Sequence, residues 1–126
     1  MGEDKFGYED LEVWQKAIDW ASEIVSLSGN LETSRKHLRL IEQLESASSS
    51  VAMNIAEGKG RYSQKEFIQF LYIARGSLYE TVTLLDIFLK QNWISKNEFV
   101  ELKERGKEIA KMLNALINSI KKAHSS

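Results

Sequence analysis

NIAEGKGRYSQKEF, residues Asn54 to Phe67, decides how this chain folds. It closes an apolar arc of helical spacing (Leu40, Leu44, Ala47, Val51, Ile55), crosses two glycines, and resumes at S-Q-K-E. Ser-x-x-Glu is a capping box: the serine hydroxyl accepts a free N–H of the first helical turn, and the glutamate reaches back to the serine's own N–H. The stretch therefore predicts a helix end, a turn and a helix start. Gly58 is expected to be the left-handed residue that stops the first of the two helices.

A second box, S-K-N-E at Ser95 to Glu98, marks another start. Proline is absent, two-residue alternation is hard to find, and apolar residues recur every three or four positions. Four helices are predicted, over about 10–28, 34–57, 63–91 and 95–122. Links of about four to eight residues favour antiparallel neighbours. The expectation is an all-α, antiparallel, up-down-up-down four-helix bundle, one domain over residues 1–126. Its seams run through Phe67, Leu71, Ala74, Leu78, Leu85 and Leu89 of helix 3. On helix 4 they run through Phe99, Leu102, Gly106, Ile109, Leu113, Leu116 and Ile120.

Helix 1 has more apolar surface than such a bundle needs. Leu11, Trp14, Ile18, Ala21 and Val25 form one stripe; Val13, Ala17, Trp20, Ile24 and Leu27 form another, about 120° round the helix. One stripe suffices for a core. The second, centred on Trp20, is expected to meet another subunit, which makes the protein a homo-oligomer.

Several chemistries are excluded. Without cysteine there are no disulfides, thiolate metal sites or cysteine nucleophiles. The two histidines, His37 and His124, do not follow an acid at the Glu-x-x-His spacing of bundle metal centres. Arg35 and His37 point to different faces. Gly-Lys-Gly matches neither a P-loop nor a dinucleotide fingerprint. No catalytic residue, metal ligand or cofactor is expected. No apolar run approaches the roughly 18 residues that span a bilayer, and the acidic start MGEDKFGYED lacks a signal peptide's apolar centre. A cytoplasmic protein without membrane contact is the expectation.

The formal net charge is −1, so nucleic-acid binding would require charge gathered on one face. Lys59, Arg61 and Lys65 surround the start of helix 3, whose free N–H groups favour an anion. Lys111, Lys121 and Lys122 lie toward the other terminus. These six are the candidate nucleic-acid contacts, although Glu57 and Glu66 offset the field at the turn. Tyr62 and Tyr72 are candidate surface contacts. Asn54 and Arg75 border apolar arcs and need polar partners for structural reasons; register favours Glu42, Glu45 or an acid on helix 1 or 4 for Arg75.

DLEVWQKA (Asp10 to Ala17), NIAEG with the following R-x-S-x-K-E-F, FLYIARGSLYE (Phe70 to Glu80) and K-M-L-x-x-L-I (Lys111 to Ile117) stand in order along the chain. Together they resemble the four-helix-bundle proteins encoded in intervening sequences of bacterial large-subunit ribosomal RNA genes, often labelled ribosomal-protein-like. The resemblance implies a bundle with no known enzymatic activity. A related branch, the accessory proteins of diversity-generating retroelements, implies a homopentamer that binds a reverse transcriptase and nucleic acid through a basic surface. This chain departs from the pattern after Gln43-Leu44, where Glu45-Ser46 replaces the family's paired arginines. The leading expectation is a non-enzymatic oligomeric scaffold or adaptor that contacts RNA or a nucleic-acid-processing protein. Direct RNA or DNA binding is the alternative.

Overall fold

The computed structural model describes residues 4–31 and 37–123. A short 3-10 turn, Gly7–Asp10, precedes four helices: α1 Glu12–Gly29, α2 Leu38–Lys59, α3 Gln64–Lys90 and α4 Lys96–Ala123. No strand occurs among the described residues.

Both serine caps form, but differently. At Ser95 the box is complete: the Glu98 N–H donates to Oγ at 3.0 Å, and the Ser95 N–H donates to the Glu98 carboxylate at 2.8 Å. At Ser63, Oγ accepts from the Glu66 N–H at 3.2 Å, while the Glu66 carboxylate accepts from the serine hydroxyl instead of its backbone. Helix α3 ends in a Schellman motif that the sequence reading did not single out. Asn92 turns left-handed (φ 62°), its N–H donates to Leu89 O, and the Trp93 N–H donates to Phe88 O at 2.9 Å. The Trp93 ring then packs edge-on to Phe88, centroids 4.9 Å apart, as the motif's apolar contact.

Two boundaries differ from expectation, and a third is not described. Helix α1 starts at Glu12, because the Glu9 carboxylate accepts the Phe6 N–H at 2.9 Å and closes a separate 3-10 turn ahead of an extended Leu11. The expected α2 start at Ser34 lies outside the described residues. At its other end α2 continues through Gly58 to Lys59, and no glycine has positive φ among the described residues. Gly58 is thus a close-approach residue and not a helix stop. A Cβ there would lie 2.6 Å from the Phe70 Cβ and 3.0 Å from a Phe67 ring carbon.

α1 packs on α2 and α4, and α3 packs on α2 and α4, around one apolar cluster. The α2–α3 contact is the most extensive. Across it Ser50 Oγ meets Ser77 Oγ at 2.9 Å, and Ser48 is wholly buried on α2. On α4 the buried seam drifts from the expected Leu116 to Ile117, since 3.6 residues per turn does not sustain a strict heptad along a straight helix. At the centre lies Trp20, wholly buried, with its indole N–H donating to the Leu102 carbonyl at 2.9 Å. Gly106 makes room for it: a Cβ there would stand 3.0 Å from the indole.

Two glycine substitutions should act in opposite directions. Gly58→Ala forces Phe67 and Phe70 apart and is expected to destabilise by about 1–3 kcal/mol. Gly76→Ala, mid-helix on α3 with open space around the new methyl, should stabilise by about 0.5–1 kcal/mol. Urea unfolding, read as midpoint at constant slope, distinguishes them.

Candidate functional site

The turn that organises the sequence is largely self-neutralised. Arg61 pairs with Glu57 at 3.6 Å and lies 4.7 Å from the Phe70 centroid. The Lys59 ammonium sits 5.8 Å from the Phe67 centroid, and Glu66 is committed to the cap. Of the three cations, Lys65 alone stands exposed with neither a carboxylate nor a ring partner among the described residues. Tyr62 is fully exposed.

Arg75 finds no carboxylate. Its guanidinium donates to the Asn114 side-chain oxygen at 2.8 Å and lies 4.9 Å from the Tyr72 centroid. The expected acidic partners are otherwise placed; Glu45, for one, accepts a hydrogen bond from the buried Ser28. Lys121 approaches the same tyrosine, 5.1 Å from its centroid and hydrogen-bonded to its hydroxyl. Lys111 is exposed on α4 nearly three turns earlier, and Lys122 adjoins Lys121. The six candidate contacts therefore divide between the turn and the α4 surface. Asn54 donates to the Ser50 carbonyl and to Ser50 Oγ, both at 2.8 Å, within its own helix.

The two stripes of α1 exchange their expected roles. Val13, Ala17, Trp20 and Ile24 are buried within the single chain, and Leu27 is half-buried against the same core. The four buried residues have no surface to offer another subunit. Hydropathy ranks two stripes alike when both carry tryptophan; what selects this one is the indole's hydrogen bond to α4. The other stripe borders an open groove of about 530 Å³ between α1 and α2, lined by Tyr8, Trp14, Ile18, Val25, Ala52 and Met53. Ile18 and Val25 are each 41% exposed and Met53 67%. No charged side chain lines it.

Ion pairs join α1 to α4 on the opposite side. Arg105 pairs with Glu23, and Lys16 with Glu108 at 2.8 Å. That hydrogen bond, and then the charge behind it, hold the Glu108 carboxyl below its ordinary value and the Lys16 ammonium above its own. His37 rests against the Trp93 ring at 4.6 Å; Arg35 and His124 lie outside the described residues. Among the described residues no cluster of three or more His, Asp or Glu could hold a metal, and no helix is long and apolar enough to cross a membrane.

The model of the 23S rRNA-intervening sequence protein family matches residues 9–115, from the 3-10 turn to the last third of α4. The chain belongs to this family. A crystal structure of a protein of unknown function from the S23 ribosomal protein family of Bacteroides thetaiotaomicron is similar throughout, with a TM-score of 0.78 and 26% identity. The likeness covers 84% of this chain and 95% of that one. Comparison with curated proteins gives no match. The family match spans the turn, the apolar groove and Lys111 but stops short of Lys121 and Lys122.

A carboxyl-detected NMR titration should place the Glu108 midpoint below that of an ordinary glutamate. Lys16→Met should move it back up. An unchanged midpoint would show that the pair does not persist in solution.

Proposed function

We propose that this family member is a non-enzymatic scaffold or adaptor, acting as a cytoplasmic homo-oligomer of one-domain subunits over residues 1–126. The groove between α1 and α2 carries this reading. It is apolar, uncharged, and edged by Ile18, Val25 and Met53, whose exposure in one chain is what burial against a second copy would remove. A ring needs two unlike patches on each subunit. The groove is one; Ile73 and Ile87, exposed on α3, supply the other. Five copies would follow the family resemblance, with a nucleic-acid-processing protein as the further partner.

Within each subunit we take neighbouring helices as antiparallel, in the up-down-up-down order. Support comes from contacts in which position rises on one helix as it falls on the next: Arg75 with Asn114 and Tyr72 with Lys121. Direct RNA or DNA binding is the competing reading. Lys59 and Arg61 weaken it, being engaged by Phe67, Glu57 and Phe70, whereas the α4 lysines favour it.

Light scattering at high micromolar concentration should give a multiple of 14.4 kDa, and Ile18→Glu with Met53→Glu should return the mass to that value. A wild-type mass of 14.4 kDa would refute the assembly.

A further inference from the structure

The charges of α4 are sorted by flank. Three of its four acids turn toward α1: Glu98 and Glu101 share a hollow with Glu23, and Glu108 holds Lys16. Lys103 and Lys107 turn toward α3, where they line a hollow with Tyr79 and Thr83. Following the same flank along α4 gives Lys103, Lys107, Lys111, Asn114, Asn118 and Lys121, in steps of three or four residues. Each step rises about 4.5–6 Å, so the row is about 27 Å long.

The cations on this face are poorly neutralised. Arg75, Lys103, Lys111 and Lys121 form no ion pair among the described residues; their contacts are an amide and the rings of Tyr72 and Phe99. Lys107 has Glu104, an exposed pair at 3.3 Å, which a phosphate displaces at little expense. Asp86 stands one turn along α3 from Val82, which lines the Lys103 hollow. Elsewhere Lys5, Lys16, Arg61 and Arg105 all meet carboxylates. Arg39, Lys59, Lys65, Lys90 and Lys96 likewise form no ion pair among the described residues, but they lie at helix ends and build no row; the α3–α4 face gathers its cations along one flank.

Two tyrosines accompany the row. Tyr72 has Arg75 and Lys121 against its ring, so it fixes cations and offers little of its faces. Tyr79 lies two turns on, is 53% exposed, and has no ring partner among the described residues. We propose that the α3–α4 face is a track for single-stranded nucleic acid, its phosphates held by Lys103, Lys107, Lys111 and Lys121 and a base stacked on Tyr79. An evenly stepped row of cations suits a linear polyanion, a free aromatic face suits a base in any sequence, and the exposed Asn118 amide can donate to or accept from a base edge. The track lies wholly within one chain, so it goes beyond the assembly reading and does not depend on it.

The test is fluorescence anisotropy of a labelled oligouridine of about 20 nucleotides, a duplex of equal length and polyglutamate as competitor, from about 50 to 200 mM salt. The wild type should bind the single strand with a steep salt dependence. Lys111→Glu with Lys121→Glu should weaken binding at least tenfold and reduce the log–log slope by about 1.4, two phosphates' worth. Tyr79→Ala should weaken it about tenfold with the slope unchanged. Lys59→Glu with Lys65→Glu, an equal change of net charge at the turn, should have a much smaller effect. The proposal is overturned by any of four results: no binding at the lowest salt, an equal loss from the turn variant, tighter binding of duplex with Tyr79→Ala silent, or polyglutamate competing as well per charge. If circular dichroism shows the double reversal to melt early, Lys111→Gln with Lys121→Gln takes its place under the same criteria.

Discussion

The indole of Trp20 sets the arrangement that the rest of the structure follows. A tryptophan can be wholly buried only if its N–H finds an acceptor, and in a helical protein almost every carbonyl is already engaged. Trp20 shares the Leu102 carbonyl of α4, reachable because residue 106 is glycine and lets the ring lie against the α4 backbone. That contact fixes the rotation of α1 about its own axis. Once Trp20 faces inward, Val13, Ala17 and Ile24 follow by helical spacing, while Ile18 and Val25 are left at the surface and Trp14 is half-buried at its edge. The apolar groove is thus a by-product of satisfying one buried N–H.

Much of the architecture is legible in the chain itself, and the reasons are local. Capping boxes are contiguous, so Ser63 and Ser95 announced the starts of α3 and α4. Seam residues such as Leu71, Leu85, Ile109 and Leu113 followed from period alone. What escaped was non-local or ambiguous. Gly58 looked like a helix stop because glycine serves both stops and close approaches, and only the positions of Phe67 and Phe70 decide between them. The left-handed Asn92 was legible in principle, since asparagine tolerates that region, but it competes with many asparagines that stay right-handed. The choice between the α1 stripes needed α4, which is remote in sequence.

Function was less legible, because charge lists do not record pairing. The turn at Lys59, Arg61 and Lys65 drew attention through density, yet two of its cations are engaged by their neighbours. The α4 lysines are spread over nearly twenty positions and look unremarkable in sequence. Helical spacing aligns them on one flank and sends Glu98, Glu101 and Glu108 toward α1. Density along a chain and density on a surface are different quantities, and on a helix the second depends on phase.

The extensive α2–α3 contact also bears on the order of folding. These helices are joined by a short turn and meet across small residues, so their association closes little chain and belongs to the fast, low-contact-order part of the search. The Trp20–Leu102 bond spans 82 residues and closes a long loop. Helix α1 is therefore expected to dock after the transition state. Truncating Trp20 would then speed unfolding and barely slow folding, whereas enlarging Gly58 would slow folding itself. The tryptophan that defines the finished structure arrives last.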